Sequence, residues 1–122
     1  IGNYLATKKI PLIYMQNSGL GNAINPLTSL ADKQVYSIPM ILLIGWRGEP
    51  KIKDEPQHVH QGRVMLDMLE AMDIPNVILS TDEGEAIQQT NDALELAKGL
   101  LSPVFLVVRK NTFSKYEIDW GK

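Results

Sequence analysis

Four short apolar runs constrain this chain more than any other feature. They are IPLIYM (10–15), PMILLIG (39–45), NVILS (76–80) and PVFLVV (103–108). They do not alternate apolar with polar, so both faces of each strand must be covered, as happens in parallel sheets flanked by helices. The segments between them carry helical spacing instead. Leu20, Ile24, Leu27, Leu30, Ala31 and Val35 mark one helix; Val64, Met65, Met68, Leu69 and Met72 a second; Ala86, Ile87, Thr90, Ala93, Leu94, Ala97, Leu100 and Leu101 a third. The order α-β-α-β-loop-α-β-α-β predicts a three-layer α/β/α fold with a mainly parallel sheet.

Local signals agree with that order. Pro39 is tolerated at the first position of its strand. Pro26 interrupts the first of these helices and is expected to kink or restart it. Ile74-Pro75 stops the next one. Asp82 followed by Glu85 resembles a capping box, and the Met65, Met68, Met72 stripe is expected to pack in the core. IGNYLATKK (1–9) reads as the last turns of a helix, with Lys8 and Lys9 suited to its C-terminus. A domain seldom opens inside a helix, so residues 1–122 are expected to be a partial domain lacking its N-terminal part. The polar and aromatic tail after Arg109 looks like the start of a linker.

The length of 122 residues suits one domain. A net charge of −2 offers no electrostatic ground for nucleic acid or an anionic membrane as partner. The longest apolar run, 38–46, is far short of the ~20 residues of a membrane span. Cysteine is absent, which removes disulfides and thiolate chemistry and fits a cytoplasmic location.

Ligands of such sheets bind beyond the carboxyl ends of the strands. Two segments leave strand ends with unusual content. The first, QNSGLGN (16–22), contains a Gly-x-Gly turn. A dinucleotide fingerprint would need a third glycine where Ile24 stands, and an acid where the next strand ends in Gly45-Trp46. A P-loop is excluded for want of Gly-Lys-Ser/Thr. Gly19 and Gly21 could merely make the turn, with Asn17 or Ser18 as helix cap. The amides and hydroxyls of Gln16, Asn17, Ser18, Asn22 and Asn25 also suit a neutral, hydrogen-bonding heterocycle.

The second segment, WRGEPKIKDEPQ (46–57), reads as a long polar loop. Asp54 and Glu55 are adjacent, so they point to different sides and do not read as an acid–base pair. His58 and His60 are the only histidines; their i, i+2 spacing in an extended segment could contribute two metal ligands and no third. For His60 the expected setting is an exposed loop.

NSGLGN (17–22), IGWRGEP (44–50) and DEPQH (54–58), together with PVFLVVRKNTF (103–113), resemble the thiamine-diphosphate decarboxylases, most narrowly the pyrimidine-binding domain of the phosphonopyruvate decarboxylases. The similarity covers nearly the whole chain. It implies decarboxylation of phosphonopyruvate to phosphonoacetaldehyde with thiamine diphosphate and Mg²⁺. It also implies a small 2-oxo acid as partner, and a homo-oligomer with the active site between subunits. Asn17, Ser18, Gly19, Leu20, Gly21 and Asn22 would then line the cofactor. Gln57 and His58 would be catalytic residues facing the substrate, with the His58 imidazole able to relay a proton. Arg47 would bind the phosphonate through its bidentate fork. The family's cofactor-activating Glu lies upstream of the first helix, and its Gly-Asp-Gly metal motif belongs to a second domain. Neither is in these 122 residues, so the expectation is that Mg²⁺ is held by that missing domain and that the chain alone is inert. Three alternatives stand beside this reading: the α subunit of a sulfopyruvate decarboxylase, an acetolactate-synthase-like enzyme, and a non-catalytic α/β interaction domain.

Overall fold

A computed structural model describes residues 1–118. Its elements in chain order are α1 (Gly2–Thr7), β1 (Leu12–Gln16), a single 3-10 turn (Asn17–Gly19), α2 (Leu20–Thr28), β2 (Met40–Gly45), α3 (Pro56–Ala71), β3 (Asn76–Ile78), α4 (Glu83–Leu100) and β4 (Pro103–Val108). The four strands form one all-parallel sheet in the order β1-β2-β4-β3. The three-layer α/β/α expectation therefore holds.

Alternate side chains of the central strands feed two cores. Met40, Leu42, Ile44, Phe105 and Val107 point to one face, where Leu20 and Leu27 of α2 and Met65 and Leu69 of α3 cover them; Ile1 and Tyr4 pack at the margin of this core. Ile41, Val104 and Leu106 point to the other face, against Ala93 and Ala97 of α4. This division follows from crossover handedness. The chain moves in one direction along the sheet from β1 to β2 and on to β3, then reverses from β3 to β4. Right-handed crossovers place helices of opposite direction on opposite faces.

The apolar helix patterns hold in part. The methionine stripe packs as expected, with Met65 buried and Met68 and Met72 against the same core. The α2 helix is shorter than its periodicity suggests. It contains Pro26 and ends at Thr28, leaving Leu30 and Val35 exposed in a turn-rich connection whose Ala31 is buried. Ile87, Leu100 and Leu101 are also exposed, because the sheet covers only the Ala93–Ala97 stripe of α4. Asp82 caps α4 by accepting the Glu85 N–H at 2.9 Å. The reciprocal half of the box runs through Ser80, whose hydroxyl donates to Glu85 and accepts from the Asp82 N–H.

The largest correction concerns α3. It starts at Pro56, several residues before its first apolar repeat, so Gln57, His58 and His60 are helical and not in an extended loop. Pro56 occupies the first helical turn, where its missing N–H costs nothing and its fixed φ is already helical. No helix among the described residues is long and apolar enough to cross a membrane.

Candidate active site

The carboxyl ends of β1, β2 and β4 meet in a crevice. The segment after β2 leads to α3 on one face. The tail after β4 turns to the other, where Thr112, Phe113 and Ser114 line a groove with Ala86, Ile87 and Thr90 of α4. Adjacent strands whose exits diverge in this way open a gap between them. The gap is a cavity of about 260 Å³ lined by Gln16 from β1, Gly45 and Trp46 from the β2 exit, and Val108, Arg109 and Lys110 from the β4 exit. Arg47, Glu49 and Asp54 complete the wall from the loop before α3.

That loop is long and polar, yet tightly held. Asn17 is 5% exposed and clamps its start. The Asn17 side-chain amide donates to the Arg47 carbonyl at 2.8 Å and accepts the Arg47 N–H at 3.0 Å. A side chain thus continues the β1–β2 pairing one step past the strands. Gly48 is closely packed against the start of α3: with φ at +70°, a Cβ there would collide with the His58 carbonyl, and a Cβ on Gly62 would collide with the Gly48 carbonyl. The Trp46 indole N–H donates to the Gly62 carbonyl at 2.8 Å, fixing the loop to the same helix.

Asp54 organises the rest. Its carboxylate is 14% exposed and accepts Arg47 Nε–H at 2.9 Å, the Gly48 N–H at 2.7 Å and the Glu55 N–H at 2.8 Å. Hydrogen bonds from Arg47, then from the two backbone amides, hold this carboxyl well below the usual carboxylate range. Arg47 is correspondingly raised, first through the Asp54 hydrogen bond. Nδ1 of His58 lies 3.4 Å from Asp54 Oδ1. An ionised carboxylate only accepts, so this nitrogen carries the proton and Nε2 is the free one in neutral His58. A second ion pair ties the loop to the β4 exit, where Arg109 Nε–H donates to Glu49 at 2.7 Å. Glu49 is 8% exposed, and its pairing raises Arg109.

The expected site residues separate into three groups. Asn17 is committed to the Arg47 backbone, and Leu20 is buried in the α2 core. Ser18, Gly21 and Asn22 are exposed and Gly19 is half-buried at the start of α2, with open space where a Cβ on either glycine would stand. Arg47 reaches the cavity wall, though Asp54 already engages its Nε and one terminal nitrogen. Gln57 is exposed on the first turn of α3, and His58 stands behind Asp54, away from the cavity lining. Glu49, Asp54, Arg109 and Lys110 also line the cavity and were not among the expected site residues. The available signal was spacing: Asp54 stands directly before the helix-starting Glu55-Pro56, where a carboxylate readily takes up loop N–H groups.

No protein-family model matches the chain. Curated relatives do. Over 82 residues the chain is 44% identical to a phosphonopyruvate decarboxylase of Streptomyces viridochromogenes, covering 67% of this chain and 18% of that protein. Over 107 residues it is 38% identical to a sulfopyruvate decarboxylase subunit alpha of Methanococcus maripaludis, covering 88% of this chain and 61% of that subunit. The chain is a homologue of these decarboxylases. A sulfopyruvate decarboxylase subunit alpha of Methanocaldococcus jannaschii is 39% identical over 82 residues, 67% of this chain and 46% of that subunit. The chain thus spans about a fifth of one kind of relative and about half of the other.

Proposed function

We propose that the complete protein is a 2-oxo acid decarboxylase whose substrate is a pyruvate bearing a tetrahedral anionic group, phosphonopyruvate first among them. The observation that carries this reading is the similarity to decarboxylases named for two such acids, at 44% and 38% identity. The crevice supports it by offering a small, cation-rimmed cavity at the end of the sheet where ligands of this fold class bind. In the reaction the C1–C2 bond breaks, carbon dioxide leaves, and the electron pair left on C2 is taken up by a proton to give the aldehyde. Sulfopyruvate is the second reading, favoured by the longer stretch of this chain that aligns with the Methanococcus maripaludis alpha subunit. On that reading a second kind of subunit, and not a further copy of the chain, completes the enzyme.

Thiamine diphosphate is the cofactor in this proposal, and it supplies an electron sink for the pair left on C2. The residues present fit its ring: Ser18 and Asn22 are exposed polar groups, and the open space at Gly19 and Gly21 lets a flat heterocycle approach the backbone. Asn17 would act indirectly, by holding the Arg47 backbone and the loop. Mg²⁺ and the diphosphate are assigned to a further domain or subunit. The test is turnover by the complete protein, with and without thiamine diphosphate and Mg²⁺. Release of carbon dioxide and an aldehyde from phosphonopyruvate or sulfopyruvate, only with cofactor, supports the proposal. Both acids left intact in the presence of cofactor overturns it.

A further inference from the structure

The geometry points to Lys110, at the exit of β4, as the residue that reads the anionic headgroup of the substrate, with Arg109 beside it; this inference rests on the decarboxylase reading above. The cavity wall holds three cations, Arg47, Arg109 and Lys110, and two carboxylates, Glu49 and Asp54. Each carboxylate is committed to one arginine: Asp54 to Arg47, Glu49 to Arg109. Among the described residues no carboxylate pairs with Lys110, which is exposed. Among the described residues the wall therefore carries one positive charge without a carboxylate partner, at Lys110.

A phosphonate or sulfonate needs charge-assisted donors, and an ammonium with three rotatable N–H groups meets a tetrahedral anion from any side. The Asp54 pair makes Arg47 the poorer choice. Two of its nitrogens are engaged, and releasing them would leave a largely buried carboxylate without its partner. Arg109 is pinned through Nε and one terminal nitrogen to a single Glu49 oxygen, so its other terminal nitrogen stays available alongside Lys110. Size agrees: a cavity of about 260 Å³ is near the lower end of small-molecule sites, fitting a compact acid.

The experiment is steady-state kinetics of the complete enzyme, with any subunit it requires, thiamine diphosphate and Mg²⁺, on phosphonopyruvate, sulfopyruvate and pyruvate. Lys110→Gln should raise KM for the preferred headgroup-bearing acid by about tenfold, the effect of one lost charge-assisted contact. It should leave kcat within about twofold, and Lys110→Arg should recover most of the loss. Pyruvate, which lacks the headgroup, should be insensitive to Lys110→Gln. An active wild type whose KM is unchanged by Lys110→Gln, or changed equally for pyruvate, overturns the assignment and leaves the decarboxylase reading standing. A wild type inactive on both headgroup-bearing acids overturns both together, before any variant is made.

Discussion

Asn17 and Arg47 lie thirty residues apart and are joined by both polar atoms of one side-chain amide, Nδ2 to the Arg47 carbonyl and Oδ1 to the Arg47 N–H. This pair binds the two segments that the sequence marks as unusual, the Gly-x-Gly turn and the polar loop after β2. Asn17→Ala would leave both Arg47 backbone groups without this partner at a part-buried site. The expected cost is about 2–4 kcal/mol, the desolvation penalty of two such groups, measured as a lower urea midpoint at unchanged slope. Asn17→Asp should be no better, because a carboxylate cannot donate to the Arg47 carbonyl.

Asp54 sets a pH dependence. Its folded pKa is depressed, chiefly by the Arg47 hydrogen bond. A depressed carboxyl contributes stability that is present above its unfolded pKa of about 3.9 and is lost as pH falls toward the folded value. Denaturation midpoints should therefore fall below about pH 4 in the wild type. In Asp54→Asn they should be lower at pH 7 and less sensitive to acid. Equal acid slopes in the two proteins would remove Asp54 from this role.

The glycines that matter for packing are Gly48 and Gly62, not the Gly-x-Gly pair. A Cβ at either would meet backbone, which cannot rotate away, and Gly48 also has a positive φ. Gly62→Ala should cost about 1–3 kcal/mol or more as an overpacked contact, whereas Gly21→Ala, within α2 and facing open space, should be neutral or stabilise by up to about 1 kcal/mol. Thermal denaturation of the two variants side by side checks this.

These contrasts show what was legible in the sequence. Element order and the α/β/α layering followed from the apolar strands and helical repeats, but only β2 and β4 are covered on both faces; β1 leaves Leu12 and Tyr14 exposed and β3 leaves Ile78 exposed, so their apolar runs overstated their burial. Strand order did not follow, since β3 and β4 are consecutive in the chain yet β4 inserts between β2 and β3. The two loops with unusual content were legible in the sequence, and the contacts that join them were not. Asp54 was weighed only against the Glu55 carboxyl, whereas its carboxylate binds the Arg47 side chain and the Gly48 and Glu55 N–H groups and lies beside His58. His58 looked like a loop residue because α3 announces its start with Pro56 and gains an apolar repeat only from Val64 onward.

His58 offers a spectroscopic test. Nδ1 faces an ionised carboxylate, so the neutral ring should carry its proton on Nδ1. Imidazole ¹⁵N shifts of the neutral ring should report that tautomer, and Asp54→Asn should weaken the preference. A neutral ring protonated on Nε2 would contradict the contact.

The Glu49–Arg109 pair should control how firmly the loop sits. Glu49→Gln removes the charge that binds the loop to the β4 exit. Trypsin should then cut after the exposed Lys51 and Lys53 several-fold faster than in the wild type, as local opening becomes easier. Unchanged cleavage would mean that Asn17 and Asp54 suffice to hold the loop.

The central claim is that the active site forms where β1, β2 and β4 end. Hydrogen–deuterium exchange on the complete protein, with and without thiamine diphosphate, Mg²⁺ and a non-decarboxylating substrate analogue, tests it most directly. New protection is expected at residues 17–22, 46–58 and 109–112. Protection confined to the opposite ends of the strands, or to the α4 face of the sheet, would contradict it.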